Sequence, residues 1–306
     1  MFDVRCWTFN LQNIGDYDDT YLTGASIMKK ELIEKYLHPL TPLPTSLSPR
    51  GDLRRSIECI LFDIYGTLFI SGSGDISLGR QNSLPDDRLK QLLTKYAISL
   101  SPRQILDKLY ERIETRHGVL RNQGVDHPEV IIEQVWRQVL GIDDQTLIRQ
   151  FAVEFELIAN PAGPMPNLES TLSACRQNGL LLGIISNAQF YTPFLFKWFL
   201  NSEIQELGFD PGLLFYSYQY EVAKPSPALF NMAAEKLYSK GIQPGSVLFV
   251  GNDMLNDIYP AHAIGFQTAL FAGDRRSLRL RADDSRCVDL KPDLVLTDLE
   301  QLIQYI

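Results

Sequence analysis

Short apolar runs alternating with amphipathic segments constrain this chain more than any other feature of it. From Ile57 onward, runs at 57–63, 180–186, 213–217, 246–251, 267–271 and 293–296 have the length and composition of buried strands. The segments between them mostly carry helical periodicity, as where Leu229, Phe230, Ala233, Ala234 and Leu237 share one face after Pro227. Strands that are apolar on both faces need helices on both sides. The pattern therefore predicts an α/β fold, a three-layer, doubly wound, Rossmann-like parallel sheet.

One interval breaks the rhythm. The stretch between the first and second strands is far longer than a single crossover helix requires, so it holds an insert. The insert reads as helical, because Leu106, Leu109, Tyr110 and Ile113 repeat at threes and fours, as do Ile131, Val135 and Val139, then Leu147, Ile148 and Phe151. Pro161, Gly163, Pro164 and Pro166 mark the return to the sheet. Ahead of the first strand, Phe2, Val4 and Cys6 alternate as in a strand, Met28, Leu32 and Tyr36 recur at helical spacing, and a proline-rich connector runs from Pro39 to Pro49. The expected division is an N-terminal appendage and linker (1–55), an α/β core (56–80 and 162–306) and a helical insert (81–161).

At 306 residues the chain has room for one large α/β unit with an insertion. Its net charge of -8 argues against a nucleic-acid partner, which normally leaves a basic footprint. No apolar run approaches the roughly 18 residues of a membrane helix, and no secretory signal is visible at Met1–Trp7, so no membrane partner and a cytoplasmic location are expected. Cys6, Cys59, Cys175 and Cys287 are scattered and read as reduced, mostly buried thiols. His38, His117, His127 and His262 share no ligand spacing, and the basic run Arg275, Arg276, Arg279 and Arg281 reads as a solvated hairpin or loop.

In an open parallel sheet the ligand site lies at the carboxyl ends of the strands. Four such ends carry polar groups: Asp63, in a D-I-Y-G-T sequence; Ser186 and Asn187; Lys224, before Pro225; and Asn252, Asp253 and Asp257, in G-N-D-M-L-N-D. A carboxylate such as Asp63 can attack phosphorus or an activated carbon and form an ester that water later cleaves. Ser186 either caps the next helix or binds an anion, and the two roles are compatible. An ammonium at Lys224 would keep a neighbouring carboxylate ionised, although a surface lysine has the same sequence. Asp253 and Asp257, four positions apart, can approach one hard cation or form a solvated acidic turn.

These motifs, in this order, resemble those of the haloacid dehalogenase (HAD) superfamily over about residues 57 to 306. The resemblance implies that Asp63 is the nucleophile, that Thr67, Ser186, Asn187 and Lys224 bind the phosphoryl group, and that the insert is a cap over the site. It also implies Mg2+ as cofactor, held by Asp63, the Tyr65 carbonyl, Asp257 and either Asn252 or Asp253. Arg116, Trp136 and Arg137 would lie in that cap, where the superfamily reads its substrates.

Two positions depart from the phosphatase pattern. Tyr65 stands where most phosphatases of the superfamily carry a second, proton-donating aspartate, and a phenol with a pKa near 10 is a weak acid at neutral pH. The same D-x-Y-G-T form occurs in the 2-haloacid dehalogenases, where halide leaves without a proton. Asn252 stands where the first metal-binding aspartate is usual, while the extra carboxylate at Asp253 points back to the metal-using branch. The expectation is a magnesium-dependent phosphatase acting on a small phosphorylated metabolite, as a monomer or homodimer. The alternatives are a 2-haloacid dehalogenase-like hydrolase or a non-catalytic phosphate-binding module.

Overall fold

Seven strands form the central sheet of the computed structural model, which describes residues 33–38, 40–73 and 86–306. They are β1 (Arg50–Gly51), β2 (Cys59–Phe62), β5 (Leu181–Ser186), β6 (Phe209–Tyr216), β7 (Val247–Gly251), β8 (Gln267–Phe271) and β9 (Leu294–Leu296), in the order β1-β9-β8-β7-β2-β5-β6. All neighbours are parallel except β1, which pairs antiparallel with β9 at the edge. The chain runs outward through β5 and β6 on one side of β2, then returns to β7 and builds outward on the other. This reversal puts the topological switch point at the carboxyl ends of β2, β5 and β7, where a crevice opens.

The apolar character of the strands follows from their two covered faces. Ile60 and Phe62 of β2 join Leu182, Ile184, Leu248 and Val250 in the core on one side. Cys59 and Leu61, pointing the other way, join Ile185, Phe249 and helix α8 (Ala228–Ser239) through Leu229, Phe230, Ala233 and Leu237. Helix α5 (Leu168–Gln177) covers the first face with Leu168, Leu172 and Cys175. Cys59, Cys175 and Cys287 are free and buried. No described helix is long and apolar enough to cross a membrane.

Strand β6 begins ahead of the expected start at residue 213, because Phe209 pairs with Leu182 before a register shift carries the chain past exposed Pro211 and Gly212. Three short strands carry no readable alternation. Both residues of β1 are exposed and join the sheet through main-chain pairing alone. β3 (Phe69–Ser71) and β4 (Ala162–Pro164) form a two-stranded antiparallel ribbon through which the chain leaves and re-enters the core.

Among the described residues, four helices lie between β3 and β4: α1 (Asp86–Lys95), α2 (Pro102–Asn122), α3 (Ile132–Leu140) and α4 (Gln145–Ala159). Helix α2 starts at a capping box in which the Ser101 hydroxyl accepts from Gln104 N and the Gln104 side chain accepts from Ser101 N. Helices α3 and α4 meet through Trp136, Phe151 and Phe155, packed edge to face. Tyr36 packs here too, and its hydroxyl donates to buried Glu154 of α4 at 2.9 Å.

The proline-rich connector lies against the core. Thr45 Oγ1 donates to Ala272 O at 2.9 Å, and Arg275 N donates to Leu43 O at 2.8 Å. The strand expected over Phe2–Cys6 and the helical positions Met28 and Leu32 fall outside the described residues, as do Cys6 and the expected boundary near residue 80.

Candidate active site

Asp63 follows β2 directly, and its main-chain N–H still donates to Val250 O at 2.9 Å, so the carboxylate sits at a rigid strand end. The chain then turns tightly, with Thr67, Leu68 and Phe69 all donating to Ile64 O. Gly66 makes the turn possible: its φ is 84°, and a Cβ there would lie 2.5 Å from Ser277 Cβ. The turn delivers Thr67, whose hydroxyl donates to Asn252 Oδ1 at 3.2 Å and ties the first motif to the fourth.

Lys224 arrives from beyond β6 and the short helix α7 (Ser217–Tyr220). Asn187, just past β5, holds its main chain from both sides: Lys224 N donates to Asn187 Oδ1 at 2.8 Å, and Asn187 Nδ2 donates to Lys224 O at 3.2 Å. The ammonium reaches Asp63 Oδ1 at 2.8 Å, Asp257 Oδ1 at 2.5 Å and Ile185 O at 3.2 Å, with only 2% of the side chain exposed. Burial alone would depress its pKa, but Asp257 and Asp63 outweigh burial and hold it above the ordinary lysine value. Burial pushes the Asp257 carboxyl up to about 7 against the opposing pull of Lys224.

The acidic turn after β7 is built on Gly251, where a Cβ would come within 2.5 Å of Asp257. Asp257 Oδ2 accepts from Asp253 N at 2.9 Å, closing the turn. Asp253 is engaged differently. Its Oδ1 caps the π-helical turn Met254–Ile258 through Leu255 N and Asn256 N, and Arg281 donates to both of its oxygens, at 2.6 Å in the shortest contact. Asn252 donates to Ser277 O at 2.6 Å. Ser186 Oγ and Ser277 Oγ are buried without a hydrogen-bond partner among the described residues.

A cavity of about 460 Å³ opens over this edge. Asp63, Tyr65, Asn187, Lys224, Asn252, Asp253 and Asp257 form its floor, and insert residues including Leu109, Ile113, Trp136 and Phe155 face them. Thr67 and Ser186 do not line it. The half-buried Tyr65 hydroxyl lies 3.3 Å from Thr192 Oγ1, and burial raises its pKa, so it remains a neutral phenol. Of the insert residues singled out earlier, Trp136 lines the cavity, Arg116 is bound to Glu221 at 2.6 Å and Arg137 is exposed.

The donor chemistry at this edge fits a hard cation. Magnesium takes oxygen ligands, needs one or two carboxylates and retains several waters, and Asp63 and Asp257 line the floor with the Asn252 amide. Three carboxylates, Asp63, Asp253 and Asp257, face two cations, Lys224 and Arg281, which leaves room for added positive charge. Asp253 already has its oxygens filled by Arg281 and the turn. Among the described residues no three His, Cys, Asp or Glu side chains converge as a ready cage, so the donor set is sparse.

Sequence reasoning missed several residues here. Arg279 lines the cavity and Arg281 clamps Asp253, although both belong to a basic run that reads as solvated. Glu129, Glu156 and Thr192 also line it, and no motif contains them. The fixed spacing of the arginines from the acidic turn was the one available signal for the first pair.

Comparison with known proteins places the chain in a family. Residues 57–265 match the family of haloacid dehalogenase-like hydrolases. The chain is 26% identical over 220 residues to haloacid dehalogenase-like hydrolase domain-containing protein 3 of Danio rerio, covering 67% of this chain and 82% of that one. It is 29% identical over 163 residues to a phosphoglycolate phosphatase of Pasteurella multocida, covering 52% of this chain and 65% of that one. A 2-haloacid dehalogenase structure from Pseudomonas syringae pv. Tomato aligns over 81% of this chain and 97% of its own, with a TM-score of 0.52 and 19% identity, a likeness of fold.

Proposed function

The chain belongs to the haloacid dehalogenase-like hydrolases, and from that premise we propose that it is a magnesium-dependent phosphohydrolase acting on a small phosphorylated metabolite. The observation that carries the reading is the buried contact between Lys224 Nζ and Asp63 Oδ1 at 2.8 Å. A cation held there offsets the charge that a phosphoryl group brings in.

Asp63 attacks phosphorus, the bond to the leaving oxygen breaks, and an aspartyl phosphate forms on this side chain. Water then cleaves the new phosphorus–oxygen bond, releasing inorganic phosphate and restoring the carboxylate. Lys224 neutralises the transferring group in both steps, while Asn187 fixes the Lys224 main chain. Asp63, the Tyr65 carbonyl, Asn252 and Asp257 would hold Mg2+, which when bound supplies Lewis-acid stabilisation of the phosphoryl oxygens. The four insert helices act as a cap, whose apolar side chains exclude water from the floor. Tyr65 is too weak an acid to give up its proton readily, so turnover should be fastest on esters with a good leaving group.

Turnover of p-nitrophenyl phosphate and acetyl phosphate tests the proposal. Metal-dependent release of phosphate by the wild type, absent in Asp63→Asn, is expected. Equal rates in the two proteins, or none in either, would refute it. A second reading, carbon–halogen hydrolysis, is favoured by Tyr65 and by the relative of similar fold named for that reaction. Chloride release from 2-chloropropionate without added metal would support that reading in its place.

A further inference from the structure

The insert side of the cavity carries two carboxyl groups that the chemistry on the floor does not use. Glu129 and Glu156 both line it. Glu129 accepts from Val130 N at 2.9 Å and from the Ser217 hydroxyl at 2.8 Å. Glu156, 8% exposed, accepts from Asn160 Nδ2 and from the Tyr191 hydroxyl, each at 3.1 Å. Every one of these partners is uncharged, and among the described residues neither carboxylate has a cationic partner.

The cations of the cavity are held by other partners than these two carboxyls. Lys224 is held on the floor between Asp63 and Asp257. The Arg279 main chain is bonded to Asn252 O, and its guanidinium turns back to Arg276 O and Leu278 O. His117 is kept neutral, its pKa lowered by burial. The insert arginines Arg116 and Arg149 are paired with Glu221 and Glu133.

A second, independent feature points the same way. Ser73 Oγ and His117 Nε2 border the same chamber, and both are buried with no hydrogen-bond partner among the described residues. Buried polar atoms of this kind need partners, and a ligand can supply them. Carboxyl oxygens that accept every hydrogen bond they make, beside unpartnered polar atoms, match a ligand rich in hydroxyl or ammonium donors.

We propose that Glu129 and Glu156 are specificity-determining residues that select phosphate esters with a hydroxyl- or amine-bearing body and reject those whose body carries a carboxylate. This rests on the phosphohydrolase reading, because it takes the phosphoryl group to occupy the floor beside Lys224. The phosphate fixes one end of the substrate there, so the body must extend toward the insert wall. A carboxylate in that position would face two carboxyl groups with no cationic partner to offset it in a largely apolar chamber.

Calorimetric binding, with magnesium present and turnover blocked in an Asp63→Asn background, tests this with two matched ligand pairs. These are glucose 1-phosphate against glucuronic acid 1-phosphate, and phosphoethanolamine against phosphoglycolate. Leaving-group chemistry is shared within the sugar pair and plays no part in a binding measurement. The member without a carboxylate should bind at least about tenfold more tightly in one or both pairs, and the responding pair tells hydroxyl from amine recognition. Glu129→Gln and Glu156→Gln, singly and together, should shrink that ratio.

Equal affinities, tighter binding of the carboxylate-bearing member, or no binding of any probe would overturn the proposal. A preference that survives both glutamine substitutions would remove its assignment to these residues. If a glutamine variant fails to fold, the ratio in the parent background still decides. Acetyl phosphate turnover by the wild type, measured in parallel, reports separately on the phosphohydrolase reading.

Discussion

Lys224 Nζ lies 2.8 Å from Asp63 Oδ1 although 161 positions separate the two residues in the chain. The same ammonium reaches Asp257, so one buried cation bridges the first and fourth strand-end motifs. Buried charge of this kind is stable only as a set, because each member is the solvation of the others.

Replacing Lys224 with Met should therefore have two effects. Asp63 and Asp257 would be left buried without their counter-ion, at a cost of about 3–5 kcal/mol in unfolding free energy. Turnover should fall by about 10²- to 10³-fold, since stabilisation of the phosphoryl charge is lost. Urea titration and steady-state kinetics on acetyl phosphate measure the two separately.

Gly251→Ala probes the geometry rather than the charge. The new methyl would stand 2.5 Å from Asp257 Cβ, and the strand cannot move because β2 and β8 flank it. Overpacking should cost about 1–3 kcal/mol. Activity should drop further than stability alone explains, by up to about 10²-fold, because Asp257 carries Lys224 with it. A variant with wild-type kcat would show that this contact is not needed.

Arg281→Gln should loosen the acidic turn without abolishing it. Arg281 binds both oxygens of Asp253 from a partly exposed position, and the two main-chain bonds capping Met254–Ile258 remain. A loss of about 1 kcal/mol is expected, seen as a fall of a few degrees in Tm. Weakening by high salt in the wild type, and not in the variant, would identify the charge as the cause.

Glu129 makes stability depend on pH. Burial raises its carboxyl to about 6, above the unfolded value, so the folded chain binds more protons than the unfolded one between roughly pH 4.5 and 6. Its contribution is complete below the unfolded pKa and is lost as pH rises through the folded value. Glu129→Gln should remove that dependence and gain up to about 2 kcal/mol at pH 8 relative to pH 4, compared with the wild type. Denaturation curves at the two pH values measure it.

Much of the fold could be read from the sequence because period carries the information. Doubly covered strands such as Cys59–Phe62 and Val247–Gly251 are uninterrupted apolar runs, and their polar ends give Asp63 and the acidic turn away. β1, β3 and β4 could not be read, since two or three residues hold no period and main-chain pairing alone makes them strands. The site divides in the same way. Asp63, Lys224 and Asp257 meet at one point, while the Asn187 amide goes to the Lys224 main chain and the Asp253 carboxylate to Arg281. A spacing argument gives no sign of which side chain a neighbour will occupy. Glu129 and Glu156 were invisible for other reasons: Glu129 lies in the loop between α2 and α3, which has no period, and for Glu156 helical periodicity marks the face that is buried, not the polar residues that line a cavity within it.

Acid quenching of the wild type during turnover of acetyl phosphate, followed by peptide mass spectrometry, asks most directly whether Asp63 attacks phosphorus. One phosphoryl group should be found on the peptide containing Asp63, formed fast enough to account for turnover and missing from Asp63→Asn. Turnover without that adduct, or a phosphoryl group trapped on another residue, would contradict the role given to Asp63.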